Sequence, residues 1–486
     1  MITHVECQLM KKQIYIFVLM AAAQLSHAHQ NVNDLLEGYL KNDLNLQKLT
    51  SQVQQSLLTK KSTAVSNGIS VQLSTGTVTI TGGDSTQIEF SPELEVKIPQ
   101  AENLTLSAST SVSVSSDEDS KTFTSTSLSL SADIYSGAGE ERKITLLEAE
   151  RDYLEARRSL QNGFLETETE FYESLKSLYE IASQIVSAEK SLYEDTIDFE
   201  KIKAQGYSTG STTYRLAQSE VKTDEHNVEV YRHKLEREVK IFASKCGTSY
   251  DEKNALDFLP SEIMSVEPVN VDSFKKENYV KIENAVWTNY INELKRKADK
   301  THTLKGSAGY TFDNKVSGAN STENKYADTV DASLSYTWDS TALTATAGVS
   351  VPVDSGNPIY KLGLSFNPSQ FIISKLQKLS DEEAAKIEEL AVKSAHSDYE
   401  TAVISQRTSA ADILWDKSVL EENYDMYVTL EKDTALYLKR GIISESEYKS
   451  AQVNKENYRI KLLINALELI IYNNETKVLF VRDEEL

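Results

Sequence analysis

Cysteine is nearly absent from this chain. Of 486 residues only Cys7 and Cys246 are cysteine, and Cys7 lies in a segment that reads as a cleaved leader, so no intramolecular disulfide is expected to staple the fold. Glycine (18) and proline (7) are scarce, which favours long unbroken elements over many loops. No run of about 18 apolar residues follows the leader, so no transmembrane helix is expected. Basic residues are outnumbered, 51 Lys and Arg against 73 Asp and Glu, for a net charge of −22. That balance argues against a nucleic-acid-binding surface, which needs clustered cations to neutralise phosphates. Motifs of bond chemistry are missing as well. There is no H-E-x-x-H, no G-x-x-x-x-G-K-[ST] and no C-x-x-C. His226 and His233 sit seven apart, two helical turns, which is too far for one metal ion and suits a solvated face. No catalytic constellation, cofactor site or metal site is expected.

What is present begins with a secretory signal. Met10-Lys11-Lys12 is a basic n-region, residues 14–23 (IYIFVLMAAA) are an apolar h-region, and Ser26-His27-Ala28 is a small-x-small cleavage site. No Cys follows the cleavage site, so no lipid anchor is expected there. Residues 33–66 then read as one helix, capped by Asp34 and carrying Leu35, Leu36, Leu40, Leu44 and Leu49 on its apolar face. From residue 69 the period changes to 2. Leu104, Leu106, Ala108, Val112 and Val114 alternate with Ser and Thr, as do Leu128, Leu130, Ala132 and Ile134, and Asp117-Glu118-Asp119 marks a solvated loop between them.

Residues 140–205 read as a long helix interrupted only by Gly163. Phe164, Phe171, Leu178, Ile185, Leu192 and Phe199 fall seven apart, with Leu175 and Ala182 between them, as on a coiled-coil seam. Gly206 and Gly210 break the helix, and a second runs over 211–244. The order then recurs. Residues 272–300 read as helix, followed by alternation at Leu304 to Phe312 and Val330 to Trp338 around a polar loop over 313–327, and by two more runs within 342–366. A helix over 369–440, with Ile413, Leu420 and Tyr427 seven apart, ends at Gly441. A return helix starts at Ser444. The hexapeptide from Thr213 to Gln218 overlays the one from Glu447 to Gln452, which marks an internal duplication. The chain thus divides into a signal peptide over 1–28, a repeat over 29–248, a linker over 249–270 and a second repeat over 271–486.

A helix of 66 residues is about 100 Å long. The return helices cover about half of that, so the helices at 33–66 and 272–300 are expected to complete antiparallel coiled-coil rods. The strands carry one apolar face and one of Ser, Thr and Gly, a poor packed core but a good water-lined wall. Such a sheet in lipid must close into a barrel. Tyr135, Tyr310, Phe312, Tyr336 and Trp338 are placed to form aromatic girdles.

With its signal peptide, its duplicated strand–long helix–Gly–helix order and a tip in which Gly441, Glu447 and Ala451 keep a family spacing, the chain resembles TolC-like outer-membrane efflux proteins along nearly its whole mature length. The resemblance implies an α+β membrane protein: a homotrimer sharing a 12-stranded transmembrane β-barrel, with a periplasmic tunnel of long antiparallel α-helical coiled coils closing at its tip. It implies an outer-membrane exit duct of a tripartite efflux or type I secretion system. It also implies a periplasmic adaptor and an inner-membrane transporter as partners. The tip departs from better-known members at Ser450, Ile443 and Thr213, so a different gate is expected, drawn from Glu445, Glu447, Arg440, Tyr207 and Arg215, with three copies of Glu447 ringing one axis. The competing reading is a periplasmic adaptor or other secreted coiled-coil interaction protein, against which the duplication argues.

Overall fold

The computed structural model describes residues 31–81, 86–115, 121–250, 255–315, 325–339, 341–353 and 357–482. The signal peptide, the acidic loop at 117–119 and residues 316–324 of the loop between the later strands lie outside the described residues. Seven α-helices are described. They are α1 (Val32–Asn42), α2 (Leu44–Ser66), α3 (Ala138–Ala204), α4 (Thr212–Lys245), α5 (Val280–Ala298), α6 (Pro368–Lys439) and α7 (Glu445–Val478). Ten strands are described: β1 (Ser70–Ser74), β2 (Val78–Thr81), β3 (Gln87–Phe90), β4 (Glu93–Ile98), β5 (Leu104–Ser115), β6 (Lys121–Tyr135), β7 (His302–Lys315), β8 (Lys325–Trp338), β9 (Leu343–Pro352) and β10 (Ile359–Phe366). The architecture is long helices plus one sheet. No described helix is long and apolar enough to cross a membrane.

The single helix expected over 33–66 is two. Asp43 leaves the helical region at φ −70° and ψ 114°, and its carboxylate accepts a hydrogen bond from Thr167 at 3.4 Å. Asn31, not Asp34, caps the start by accepting from the Asn33 N–H at 3.1 Å. Leu44 is 78% exposed, while Leu46 is buried.

The chain forms two compact units, each drawing segments from both halves of the sequence. One comprises the described residues within 31–43, 167–268 and 411–472. Its core is the seam that the seven-residue spacing predicts. Phe171, Leu175, Leu178, Ala182 and Ile185 of α3 are all at most 3% exposed, and they pack with Leu35 and Tyr39 of α1, Leu235, Val239 and Phe242 of α4, and Ile460 and Leu467 of α7. Each fully buried large side chain here is worth about 1.5–3 kcal/mol of transfer free energy. The segment read as a linker belongs to this core. Ala255, Phe258 and Leu259 are buried in it, and the Tyr179 hydroxyl donates to the Pro260 carbonyl.

The other unit comprises the described residues within 44–166, 269–410 and 473–482. It holds all ten strands in one antiparallel sheet, ordered β1-β4-β5-β6-β7-β8-β9-β10, with β2 on β3 and β3 on β5. Beside the sheet elements, Val271, Tyr279, Ile282, Ala395, Val403 and Phe480 form one small core, with Phe274 stacked on Phe480 at 4.4 Å. Ile144, Ile291 and Ala298 form another. Glu283 of α5 receives Arg151 and Arg158 of α3, and Arg296 grips Glu388 of α6 through two hydrogen bonds of 3.1 and 2.9 Å.

Candidate membrane wall and helical tip

The sheet's register decides what each face carries, because paired residues in an antiparallel ladder share a face. One row across it reads Val71, Val96, Leu106, Leu130, Ala308, Ala332, Val349 and Tyr360. A row farther along reads Ile98, Leu104, then Ala132, Gly306, Leu334, Ala347 and Leu362. The opposite face reads Ser107, Ser129, Gly309 and Asp331 in one row, and Ser131, Ser307, Ser333 and Gly348 in another. Hydroxyls there bond across strands, Ser107 with Ser129 at 2.6 Å, Ser109 with Ser127 at 2.7 Å and Ser307 with Ser333 at 2.8 Å. The apolar face is uncovered: Leu106, Leu128, Leu130, Tyr310, Val330 and Leu334 are each between 41% and 49% exposed. A water-soluble sheet buries such a face and solvates the other. Here the small polar face is the candidate water-lined wall and the apolar face the candidate lipid surface.

The expected aromatic residues all fall on the apolar face, near its two ends. Trp338 pairs with His302, Tyr336 pairs with Leu304, and a bulge after Asp133 brings Tyr135 opposite Leu304. Tyr310 and Phe312 sit toward the other end, opposite Val330 and Asp328. From the His302 row to the Phe312 row is ten residues of β7, roughly 33 Å along the strand. At a tilt of about 40° that is a band of about 25 Å, the height of the apolar belt of outer-membrane barrels.

The tip residues all lie in the helical unit. Both outgoing helices stop at a glycine in the left-handed region, Gly206 at φ +80° and Gly441 at φ +69°, a conformation that a side chain would strain. At Gly441 the stop is a full Schellman motif: its N–H donates to Leu438 and that of Ile442 to Tyr437, both at 2.9 Å. Gly206 makes the first of these bonds, to Lys203 at 3.0 Å. Ser211 caps α4, its Oγ accepting from the Tyr214 N–H at 3.3 Å. Ser444 caps α7 within a reciprocal capping box. The Glu447 carboxylate takes the Ser444 N–H at 2.8 Å and its hydroxyl at 2.9 Å, while the Glu447 N–H donates to the Ser444 Oγ at 3.3 Å. These bonds from Ser444 hold the Glu447 carboxyl below the usual carboxylate range. Ala217 and Ala451 of the matched hexapeptides are both buried.

The structure does not join the expected gate residues to one another. Glu447 is engaged by its own cap, and the charge of Glu445 bears on Tyr193 of α3. Arg215 and Arg440 are exposed, with no carboxylate partner among the described residues, and Tyr207 is half-exposed. Gly210 keeps an ordinary backbone conformation. The sequence marks Ser444 as the cap of the return helix; the reciprocal half of the box, made by Glu447, was missed although the Ser444-x-x-Glu447 signature is present. His226 and His233 lie on α4, where His233 is exposed beside Glu236. No group of three or more His, Cys, Asp or Glu that would hold a metal ion occurs among the described residues.

One charged feature of this unit was not foreseen. Asp195 of α3 lies near the carboxylates of Asp224 and Glu220 of α4. Partial burial, then the charges of Asp224 and Glu220, raise its pKa above the ordinary carboxylate value. A raised pKa means that the folded state binds this proton more tightly than the unfolded chain does. Its contribution to stability is therefore present at acid pH and is lost as pH rises through the folded value. Asp195→Asn is expected to raise the thermal midpoint at neutral pH and to shrink the gain that acidification brings to the parent. An unchanged midpoint at neutral pH would count against the pair.

Known proteins fall in line with the chain along most of its length. The family model described as the TP096X N-terminal domain matches residues 35–263, and that described as the TP096X C-terminal domain matches residues 264–483. Among solved structures the chain is similar to the outer membrane protein VceC from Vibrio cholerae, at 10% identity over 92% of this chain and 95% of that one, with a TM-score of 0.47. It is similar to the MtrE outer membrane channel of Neisseria gonorrhoeae at 10% identity over 95% and 94%, with a TM-score of 0.47. It is similar to the CmeC outer membrane channel of Campylobacter jejuni at 12% identity over 96% and 91%, with a TM-score of 0.44. No curated protein matches the sequence.

Proposed function

We propose that this chain, built of the TP096X N- and C-terminal domains, is an outer-membrane exit duct in which several copies, three by the family resemblance, share one β-barrel and extend coiled-coil helices into the periplasm. Its mechanism is gating, without bond chemistry. Cargo is handed over by an inner-membrane transporter and a periplasmic adaptor, and it leaves along the Ser- and Thr-lined wall when the helical tip opens. The observation that carries this reading is the sheet with an uncovered apolar face on one side and a small polar face on the other. An apolar face left in water on this scale would drive aggregation, and lipid is the solvent that suits it. The last part of α6 adds support. Trp415, Met426 and Tyr437 recur every eleven residues, three helical turns, and are 68%, 51% and 41% exposed, a stripe that neighbouring copies would cover. In this reading Glu447 holds the turn, and Arg440 and Arg215 are left to meet acids of other copies.

Light scattering on the detergent-extracted particle tests it, with the detergent mass subtracted. A protein mass of three chains is expected. A detergent-independent monomer in the soluble fraction would overturn the duct and favour a secreted coiled-coil interaction protein.

A further inference from the structure

The family resemblance allots four strands per chain to the barrel, and β5, β6, β7 and β8 are the long ones. The sheet does not stop there. We propose that each copy contributes eight strands, and that the seam between copies runs between β10 of one copy and the β1/β2 strand of the next. This rests on the outer-membrane reading above.

The short strands are two broken long ones. β3 and β4 both pair with β5 in a single register: Gln87 opposite Ser115, Phe90 opposite Val112, Glu93 opposite Ser109 and Ile98 opposite Leu104. They are one strand interrupted at Ser91-Pro92, where proline has no N–H to give and its carbonyl accepts from the Thr110 N–H at 3.1 Å. β1 pairs with β4 and β2 with β3, and the register slips by one residue between them. That slip is a bulge at Gly76, whose φ is +62°. It turns the apolar positions from Val71 and Leu73 to Val78 and Ile80, so the same face stays apolar through the break. The sheet is therefore eight strands wide at both levels, ending in β1 at one and β2 at the other.

Two properties of the edges select the partner. First, the apolar face runs out to both. Tyr360, Leu362, Leu364 and Phe366 of β10 are between 60% and 85% exposed, and Val71, Leu73, Val78 and Ile80 between 54% and 79%. If these strands formed a collar in water, their side chains would be stranded there. In lipid, the unpaired N–H and C=O groups of each edge must find a strand. Second, every neighbour in the path is antiparallel. With eight strands, β10 runs opposite to β1 and β2. The far edge of a second copy thus offers β10 an antiparallel strand with its apolar and polar faces on the matching sides. A barrel of three such copies has about twice the circumference of a twelve-stranded one.

Paired cysteines on the polar face test the seam, because oxidant reaches them there. In a background with Cys7→Ala and Cys246→Ala, Lys361→Cys in β10 is combined in turn with Ser70→Cys, Gln72→Cys, Ser74→Cys or Thr79→Cys. Ser107→Cys with Ser129→Cys is the positive control within one chain. Oxidised outer membranes are then run on denaturing gels. Reducible dimers and larger species from at least one pairing, absent from each single variant, are expected. A disulfide formed within one chain would show that the sheet closes on itself and would overturn the seam. So would a membrane-borne protein that forms the control disulfide and none of the tested ones. Recovery in the soluble fraction would instead overturn the outer-membrane reading, and the seam with it.

Discussion

Leu130→Arg is expected to block membrane insertion, whereas Ser129→Arg, one residue away, is tolerated. Leu130 pairs with Leu106 and Ala308, close to midway between the Trp338 and Phe312 rows, which is the centre of the proposed apolar belt. Ser129 points to the other face and bonds Ser107. An arginine facing lipid at the bilayer midplane costs roughly 2–4 kcal/mol, and every copy in the barrel would carry it. Against a net stability of about 5–15 kcal/mol that is a large fraction. At Ser129 the loss is about one hydrogen bond, roughly 1 kcal/mol, and the new guanidinium stands in water. The measurement is the fraction of each variant that resists carbonate extraction from outer membranes. On a soluble protein the order would reverse or vanish, since Leu130 is 43% exposed and an exposed leucine is a mild site for arginine. Equal insertion of the two variants would therefore sink the assignment of faces, and with it the duct.

The faces were legible in the sequence because a period of two writes them directly. Leu104 to Val114 and Leu304 to Phe312 alternate with small polar residues, and pairing preserves that alternation across the sheet. The long helices were legible for a similar reason. A seam of Phe171, Leu178 and Ile185 survives in the structure as buried core, since packing rewards a spacing that returns to one side of a helix. What could not be read depends on partners distant in the chain. Nothing local says that residues 70–98 fold back on β5, or that Asp43 ends α1 to meet Thr167. The segment over 249–270 has prolines and polar residues enough to look like a tether, yet Phe258 and Leu259 reach the core. An apolar pair beside Pro260 was the available signal. At the tip, Ser444 was legible as the cap of the return helix, but attention to charge hid the reciprocal bonds of Glu447. Glu447 sits at the third position of the return helix, where its carboxylate reaches back to the Ser444 backbone.

Glu283→Gln is the substitution with the largest expected effect on the folded unit that carries the sheet. The side chain of Glu283 is 13% exposed and faces two guanidiniums, those of Arg151 and Arg158, whose side chains are 7% and 11% exposed. Burial alone would push the Glu283 pKa up. The hydrogen bonds from Arg151 and Arg158 outweigh it and hold the carboxyl below its ordinary value. A depressed pKa means that its stability is present above the ordinary carboxylate value, about 4.3, and is lost as pH falls through the folded value. Glutamine removes the charge and leaves both cations short of their shared partner. Breaking a buried ion pair from one side costs about 3–5 kcal/mol. The lower end applies here, because Arg151 keeps Glu155 at 2.6 Å and the Trp287 ring at 5.2 Å. Glu155→Gln is the control: its side chain is 50% exposed, and an exposed pair one helical turn apart contributes under about 1 kcal/mol. Urea midpoints of the detergent-solubilised variants between pH 2 and 8 make the comparison. At neutral pH the midpoint of Glu283→Gln should fall well below that of Glu155→Gln. The gap to the parent should hold down to about pH 4.3 and narrow only below it, as pH falls through the depressed folded value. Equal midpoints for the two variants would mean that Glu283 is solvated in the assembled protein and that the Arg151 contact holds nothing together.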